Sequence, residues 1–451
     1  MTTQRTGADR RVETSRRNLV LDLLAVGLAV CVVAAAMVVG WQLKHDSVAI
    51  FLPFPPLVAS WLPHVGPGTV FAPVVAAVCV LYGPTFATRA RWPVLLAAAW
   101  GMSVAWTTSL ALVDGFHTGI AGRLTTYPEY LHDVPLVGDI SAMLRDFTGH
   151  ILVDQPRHWT VHVGAHPPGA FLVFLGLDRI GLSGGAAAGM FCVLVGASAC
   201  VAVAVTLRAL SGETLARTVL PFGVLFPGAV WVGVSADGLF AAVLAWGLAL
   251  FVVGATNRGV WAAVPALCGG MLLGYTLYLS YGLVLGGLLA VAAVVATRRW
   301  WPTLFGVLGA GLVVAAFTAA GFWWFTGFEL TKTLYAGSVA RTRPYSYFVW
   351  ANIAALLFAL GPATVAGLRR LAVTRRALGW GAGLLVAAAL VAVLAADVSG
   401  LSKAEVERIW LPFAVWMVVA CGSLPRAQHR GWLIAQVVLA LLVNHLVLTV
   451  W

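Results

Sequence analysis

NLVLDLLAVGLAVCVVAAAMVVG, residues 18–40, is a run of 23 residues with a single charged side chain, Asp22 near its start. A helix rises about 1.5 Å per residue and the hydrocarbon core of a bilayer is about 30 Å thick, so about 20 such residues reach across. Arg10, Arg11, Arg16 and Arg17 precede the run. It is longer than a signal-peptide core and no A-x-A-like site follows cleanly, so it reads as an uncleaved anchor.

The pattern recurs along the chain, whose 451 residues are 61% hydrophobic and only 10% charged. A soluble protein carries roughly 25% charged residues, and barrel strands show short alternating segments instead of long apolar blocks. The fold class is therefore an all-α polytopic membrane protein. The net charge of +11 does not point to nucleic acid, because the arginines gather in short stretches between apolar runs: 10–17, Arg298 with Arg299, and Arg369, Arg370, Arg375 and Arg376. Such clusters set membrane orientation. Cys31, Cys79, Cys192, Cys200, Cys268 and Cys421 lie in or beside apolar runs with no CxxC, which indicates neither a disulfide framework nor a cysteine metal site.

Positive charge favours the cytoplasmic side. Residues 1–18 are a cytoplasmic tail, and 19–113 hold the first three spans, 19–41, 68–86 and 93–113. Residues 114–186 form a large outer loop between the third and fourth spans. Counting back from LRRLAVTRR (368–376) places 397–410, 326–346, Asp237 and 181–185 on that same outer side. Both ends of 166–181 then lie outside, so the 12–15 apolar residues after HPPG (166–169) are expected to be interfacial or partly inserted. Residues 187–451 supply the other ten of about 13 spans: 187–207, 217–235, 238–254, 260–277, 279–296, 303–324, 347–366, 378–397, 409–423 and 432–450. The N-terminus is expected in the cytoplasm and the C-terminus outside, in a plasma membrane.

The outer loop concentrates the titratable groups. It holds Asp114, Glu129, Asp133, Asp139, Asp146 and Asp154 of the chain's 17 acids, and His117, His132, His150, His158, His162 and His166 of its ten histidines. Glu129 and Tyr130 in YPEYL, with His166, are expected to line a cavity at the membrane boundary. Asp114 ends an apolar span, where partial desolvation suits a general base. Asp237 in SADG either lines the same cavity or caps a helix. In KAEVERIW (403–410), Glu405 and Arg408 are spaced i, i+3, an arrangement suited to clamping a phosphate or to a plain ion pair, with Glu407 pointing away. Lys332, Arg341 and Arg343 add cations on the outer side, expected to meet an anionic lipid head. His158 and His162 lack the intervening acid of a zinc-protease helix, so no metal site is assigned.

VDG at Asp114, HPPG, LRALSG (207–212), SADG and EVERIW (405–410), in that order and sidedness, resemble the glycosyltransferase C superfamily, particularly its actinobacterial membrane members. The resemblance implies an inverting transfer of a sugar from a polyprenyl-phosphate donor to a cell-envelope glycan, lipid or protein, as in mannosyl- and arabinosyltransferases. It makes Asp114 the base and gives the donor phosphate to Arg408, with Arg341, Arg343 and Lys332 as further cations. The acid follows the third span here, not the first, and no second acid adjoins it, which keeps Asp133 and Asp139 as alternative bases. No cofactor is required, and a divalent cation is compatible. A transporter or flippase for an envelope precursor is the rival reading, expected to show broken helices near the midplane, charges within spans or two similar halves. An acyltransferase using His166 and a non-catalytic assembly partner stand behind it.

Overall fold

The computed structural model describes residues 7–374 and 378–450, with side chains from residue 16 onward. Arg375, Arg376 and the side chains of Arg10 and Arg11 lie outside the described residues. The chain is mostly helical, and among the described residues the one sheet is the antiparallel pair Ala59–Trp61 and Val447–Thr449. Helices dominate because only intrahelical bonding satisfies a backbone surrounded by lipid.

Among the described residues, nine helices are long and apolar enough to cross a membrane: Arg16–His45, Gly68–Arg89, Trp92–Asp114, Gly185–Ser211, Ala236–Thr256, Val260–Leu279, Trp300–Ala319, Tyr345–Val373 and Trp380–Val398. The other four expected spans are helical in a different way. Residues 217–235 become Glu213–Val224 and the single turn Ala229–Val232, separated around Pro227. Tyr281–Thr297 and Leu411–Ser423 are shorter apolar helices. His429–Leu446 carries His429, Arg430, Gln436, Asn444 and His445, which dilute its apolar character, and it runs directly into the strand. Most of Leu411–Ser423 is buried by neighbouring helices, so it does not need the length that lipid contact imposes.

Ala236–Thr256 is the central helix, buried along most of its length, whereas Arg16–His45 lies at the periphery with Tyr345–Val373 as its main partner. Cross-chain bonds gather the helix ends into two groups. At one end Asp22, fully buried, holds Arg369 at 2.7 Å and Arg370 at 2.5 Å; Arg217 donates to Ala87 O and Ala90 O; and Arg208 stacks on Trp92. At the other, His64 meets Asp114, Arg123 reaches Thr449 O, Arg343 reaches Ile50 O, and Arg408 meets Asp237.

The helix after HPPG, Pro168–Arg179, has 12 residues and is about 18 Å long, too short to cross. Tyr275 donates to Gly169 O at its start, and Arg179 donates to Val137 O and Gly138 O at its end. Pro168 occupies the first turn, where a missing N–H costs nothing.

Two helices are interrupted deep in the bundle. Tyr345–Val373 kinks at Gly361, whose φ of 72° lies in the left-handed region. Residues 225–228 break the other, and Gly228 N donates to Ala359 O beside that kink. Gln436, fully buried, accepts from Ala363 N and donates to Leu360 O. The backbone groups released by the kink are thus paired within the protein.

Candidate functional site

Two polar constellations occupy the end of the bundle that carries residues 114–166. The first forms where the Trp92–Ala111 helix tightens into a last turn ending at Asp114. Asp114 binds Arg123 through one oxygen and His64 Nε2 at 2.6 Å through the other. His64 Nδ1 faces Leu62 O, also at 2.6 Å. Both ring nitrogens of His64 thus face oxygen atoms. The Asp114 carboxylate lies between the His64 imidazole and the Arg123 guanidinium, all three side chains partly shielded. Arg123 also donates to Thr449 O at 2.7 Å. Burial pulls the Arg123 pKa below the usual guanidinium value, and Asp114 partly offsets this.

The second constellation draws on four separate segments. Asp237 sits in the first turn of Ala236–Thr256, where the helix dipole favours a carboxylate. Capping does not account for it: Ser235 holds the N-cap position, but its hydroxyl donates to Trp231 O. The Asp237 carboxylate binds Arg408, which also reaches Glu405 at 2.7 Å, the i, i+3 pair expected from KAEVERIW. Burial opposes the charge on Arg408, but Asp237, Glu405 and Glu129 outweigh it and lift the pKa above its ordinary value. Glu129 meets His162 Nδ1 at 3.0 Å, both buried.

His166 Nδ1 donates to His162 O at 2.7 Å, and its ring lies 6.0 Å from Tyr130 and from Phe240. Desolvation, with His162 next, pushes its pKa down to about 4, so the ring is neutral. Tyr130 is fully buried and stacks on Phe174 at 5.0 Å, and its hydroxyl has no hydrogen-bond partner. Burial, then Glu129 and Asp237, push its pKa well up. Glu407 is 1% exposed; burial raises its pKa to about 7, with Glu405 adding to the rise, while its own N–H, Arg408 and the N–H of Val58 act the other way.

The remaining expected residues have other tasks. Asp133 is buried and accepts from Thr160 N at 2.8 Å and Thr160 Oγ1 at 2.9 Å, which pins two parts of the loop together. Asp139 is the exposed N-cap of Ile140–Asp146, accepting from Ser141 N. Each carboxylate gives one oxygen to local groups, Asp133 Oδ2 to Thr160 and Asp139 Oδ1 to Ser141. Arg343 is buried and donates to the carbonyls of Ile50, Phe51 and Lys403, so it locks loops together instead of facing a lipid head. Lys332 pairs with Glu329 at 2.8 Å on an exposed surface, and Arg341 is exposed. Among the described residues, no group of three or more His, Cys, Asp or Glu side chains is arranged to hold a metal ion.

His64 and Arg123 were not legible as partners of Asp114. The signal was present: each is a lone basic residue in a short segment, WLPHVGP and GIAGRLT, at the same end of the bundle as Asp114. His162 was weighed only as a zinc ligand and proves to be the partner of Glu129. Comparison of the chain with protein-family models and with curated proteins finds no match.

Proposed function

We propose that the protein is a membrane glycosyltransferase that moves a sugar from a polyprenyl-phosphate donor to a cell-envelope glycan, lipid or protein, with inversion, on the face that carries residues 114–166. The observation that carries this reading is the His64–Asp114–Arg123 constellation, which puts a carboxylate, an imidazole and a guanidinium together at the end of an apolar helix. A lipid-linked donor reaches such a position sideways from the bilayer. The same reading makes this face the outer one and the arginine-rich end around Arg369, Arg370, Arg208 and Arg217 cytoplasmic, with a cytoplasmic N-terminus in the plasma membrane.

Charge balance moves the phosphate role away from Arg408. With Asp237 and Glu405 both bound to it, Arg408 belongs to a net negative group and attracts no phosphate. Arg123 has Asp114 as its carboxylate partner and, with His64 as a further hydrogen-bonding group, is the one we assign to the phosphate. On donor binding, the phosphate draws Arg123 and leaves a carboxylate oxygen of Asp114 open. The acceptor hydroxyl attacks the anomeric carbon, the carbon–oxygen bond to phosphate breaks, and the hydroxyl proton passes to Asp114. The polyprenyl phosphate departs with its charge balanced by Arg123.

The test is turnover of a polyprenyl-phosphate-sugar panel by purified protein. Asp114→Asn is expected to lower kcat about 10²- to 10⁴-fold, and Arg123→Ala to raise the donor KM. Full activity of Asp114→Asn overturns the assignment of the base, and no turnover by the wild type with any donor overturns the enzyme reading.

The broken helices at 225–228 and Gly361 are a feature that transport would use. Here Gln436 pairs the loosened backbone at Gly361, and the adjoining cavity lined by Thr107, Phe226 and Val232 is apolar with about 30 Å³ of space. That is room for about one water, so transferase is the better-supported reading.

A further inference from the structure

Where Pro168–Arg179 turns into Gly185–Ser211, the corner faces the loop around His132 across a cleft of about 390 Å³. Small-molecule sites span roughly 300–1,000 Å³. Most of the lining is apolar, with Leu131, Val134, Pro135, Leu177 and Leu182. His132, Asp178 and Ser183 are polar, and among the described residues none of these three side chains makes a hydrogen bond or ion pair. The His132 ring meets that of Tyr127 edge-on at 4.9 Å.

These groups select a ligand class. The unpaired carboxylate of Asp178 repels a phosphate or an anionic lipid head, and with no second acid in the lining it makes a poor trap for a cation. A neutral polyol matches these features: its hydroxyls donate to Asp178 and exchange hydrogen bonds with His132 and Ser183, while a C–H face lies on the exposed Pro135 and Leu182. Phe174 lies buried beneath the cleft and stacks on Tyr130 at 5.0 Å. His64, Asp114 and Arg123 are not among the lining residues.

We propose that this cleft is a carbohydrate subsite that holds a sugar residue of the acceptor other than the one that reacts. The acceptor is therefore an oligosaccharide or polysaccharide. The word acceptor rests on the transferase reading; the preference for a sugar rests on the cleft alone.

The test uses the full chain in nanodiscs with diazirine-tagged trisaccharides of mannose, arabinose, glucose and galactose, and cross-linked peptides mapped by mass spectrometry. At least one trisaccharide is expected to label peptides containing residues 131–135 and 174–188, with labelling reduced at least tenfold in Asp178→Ala and in Ser183→Trp. Both positions are at least partly exposed, and an unchanged melting temperature verifies that the variants fold. Glycerol phosphate, standing in for an anionic lipid head, is expected not to compete. Labelling no stronger than with the tag alone, labelling unaffected by both variants, or competition by glycerol phosphate overturns the subsite. Labelling with no donor turnover keeps the subsite and sinks the transferase; turnover with no labelling does the reverse.

Discussion

Arg408 and Asp237, 171 residues apart in the chain, meet as a buried ion pair, both side chains at most 7% exposed. Such a pair adds little net stability over an apolar one, but removing one member strands the other charge, at a cost of about 3–5 kcal/mol. Arg408→Ala is expected to lower the melting temperature of the detergent-purified protein sharply. Asp237→Asn is expected to cost less, because Glu405 still holds Arg408. A double variant, Asp237→Leu with Arg408→Met, should recover part of the loss. Simple addition of the two single effects would show that the pair is not coupled.

His166 and Glu407 pull the pH profile of stability in opposite directions. The His166 pKa falls from 6.5 to about 4 in the folded protein, so between those values the unfolded chain binds the extra proton and stability rises with pH. The Glu407 pKa rises from 4.5 to about 7, so there the folded protein binds the extra proton and stability falls as pH rises. Over pH 4.5 to 6.5 the two largely cancel. Glu407→Gln is expected to expose the rising slope of His166, and His166→Gln the falling slope of Glu407, in melting curves across that range. Parallel profiles for wild type and both variants would show that neither group titrates as described.

The apolar helices were legible because a bilayer imposes a minimum length on any segment facing it, and Arg16–His45 or Trp380–Val398 meets it without help from the rest of the chain. Leu411–Ser423 escaped the same rule because protein surrounds it. In the site, Glu405 with Arg408 was readable as a local i, i+3 pair. Asp237 with Arg408 and Asp114 with His64 and Arg123 were readable only as separate residues, because tertiary packing alone joins them. Asp133 and Asp139 looked like equals of Asp114 in sequence. What separates them is the partner: Asp133 and Asp139 each give one oxygen to local groups of Thr160 and Ser141, whereas Asp114 meets the distant side chains of His64 and Arg123.

Gly361 is irreplaceable for two reasons that act together. Its φ of 72° costs an L-residue about 1–2 kcal/mol, and an added Cβ would collide with Gln436 Oε1 and come within 2.7 Å of Pro227 Cγ. Gly361→Ala is therefore expected to displace Gln436 from Ala363 N and Leu360 O, adding about 1–3 kcal/mol for buried groups left unpaired. Gln436→Leu tests the second part alone, since it leaves Gly361 intact. A melting temperature within 1–2 °C of wild type (a shift well under about 1 kcal/mol) in both variants would contradict this account of the kink.

Arg343, buried, and Arg123, half-buried, are guanidiniums on the proposed outer face, yet their partners assign them different work. Arg343 donates only to main-chain carbonyls, those of Ile50, Phe51 and Lys403, and burial lowers its pKa while Glu405 partly compensates. Its loss leaves three carbonyls short of a donor but takes nothing from a bound phosphate. Arg343→Ala is expected to lower the melting temperature and the yield of folded protein, with the donor KM of the folded fraction within about twofold of wild type, under 0.5 kcal/mol. Arg123 spends one nitrogen on Thr449 O and the other on Asp114. Arg123→Ala should therefore raise the donor KM by about tenfold or more, the loss of a charge-assisted bond of about 1.5–3 kcal/mol. Arg123→Lys keeps the charge but not the fork, and is expected to recover part of that loss. Equal effects of Arg343→Ala and Arg123→Ala on donor KM would mean that the phosphate is bound elsewhere on this face.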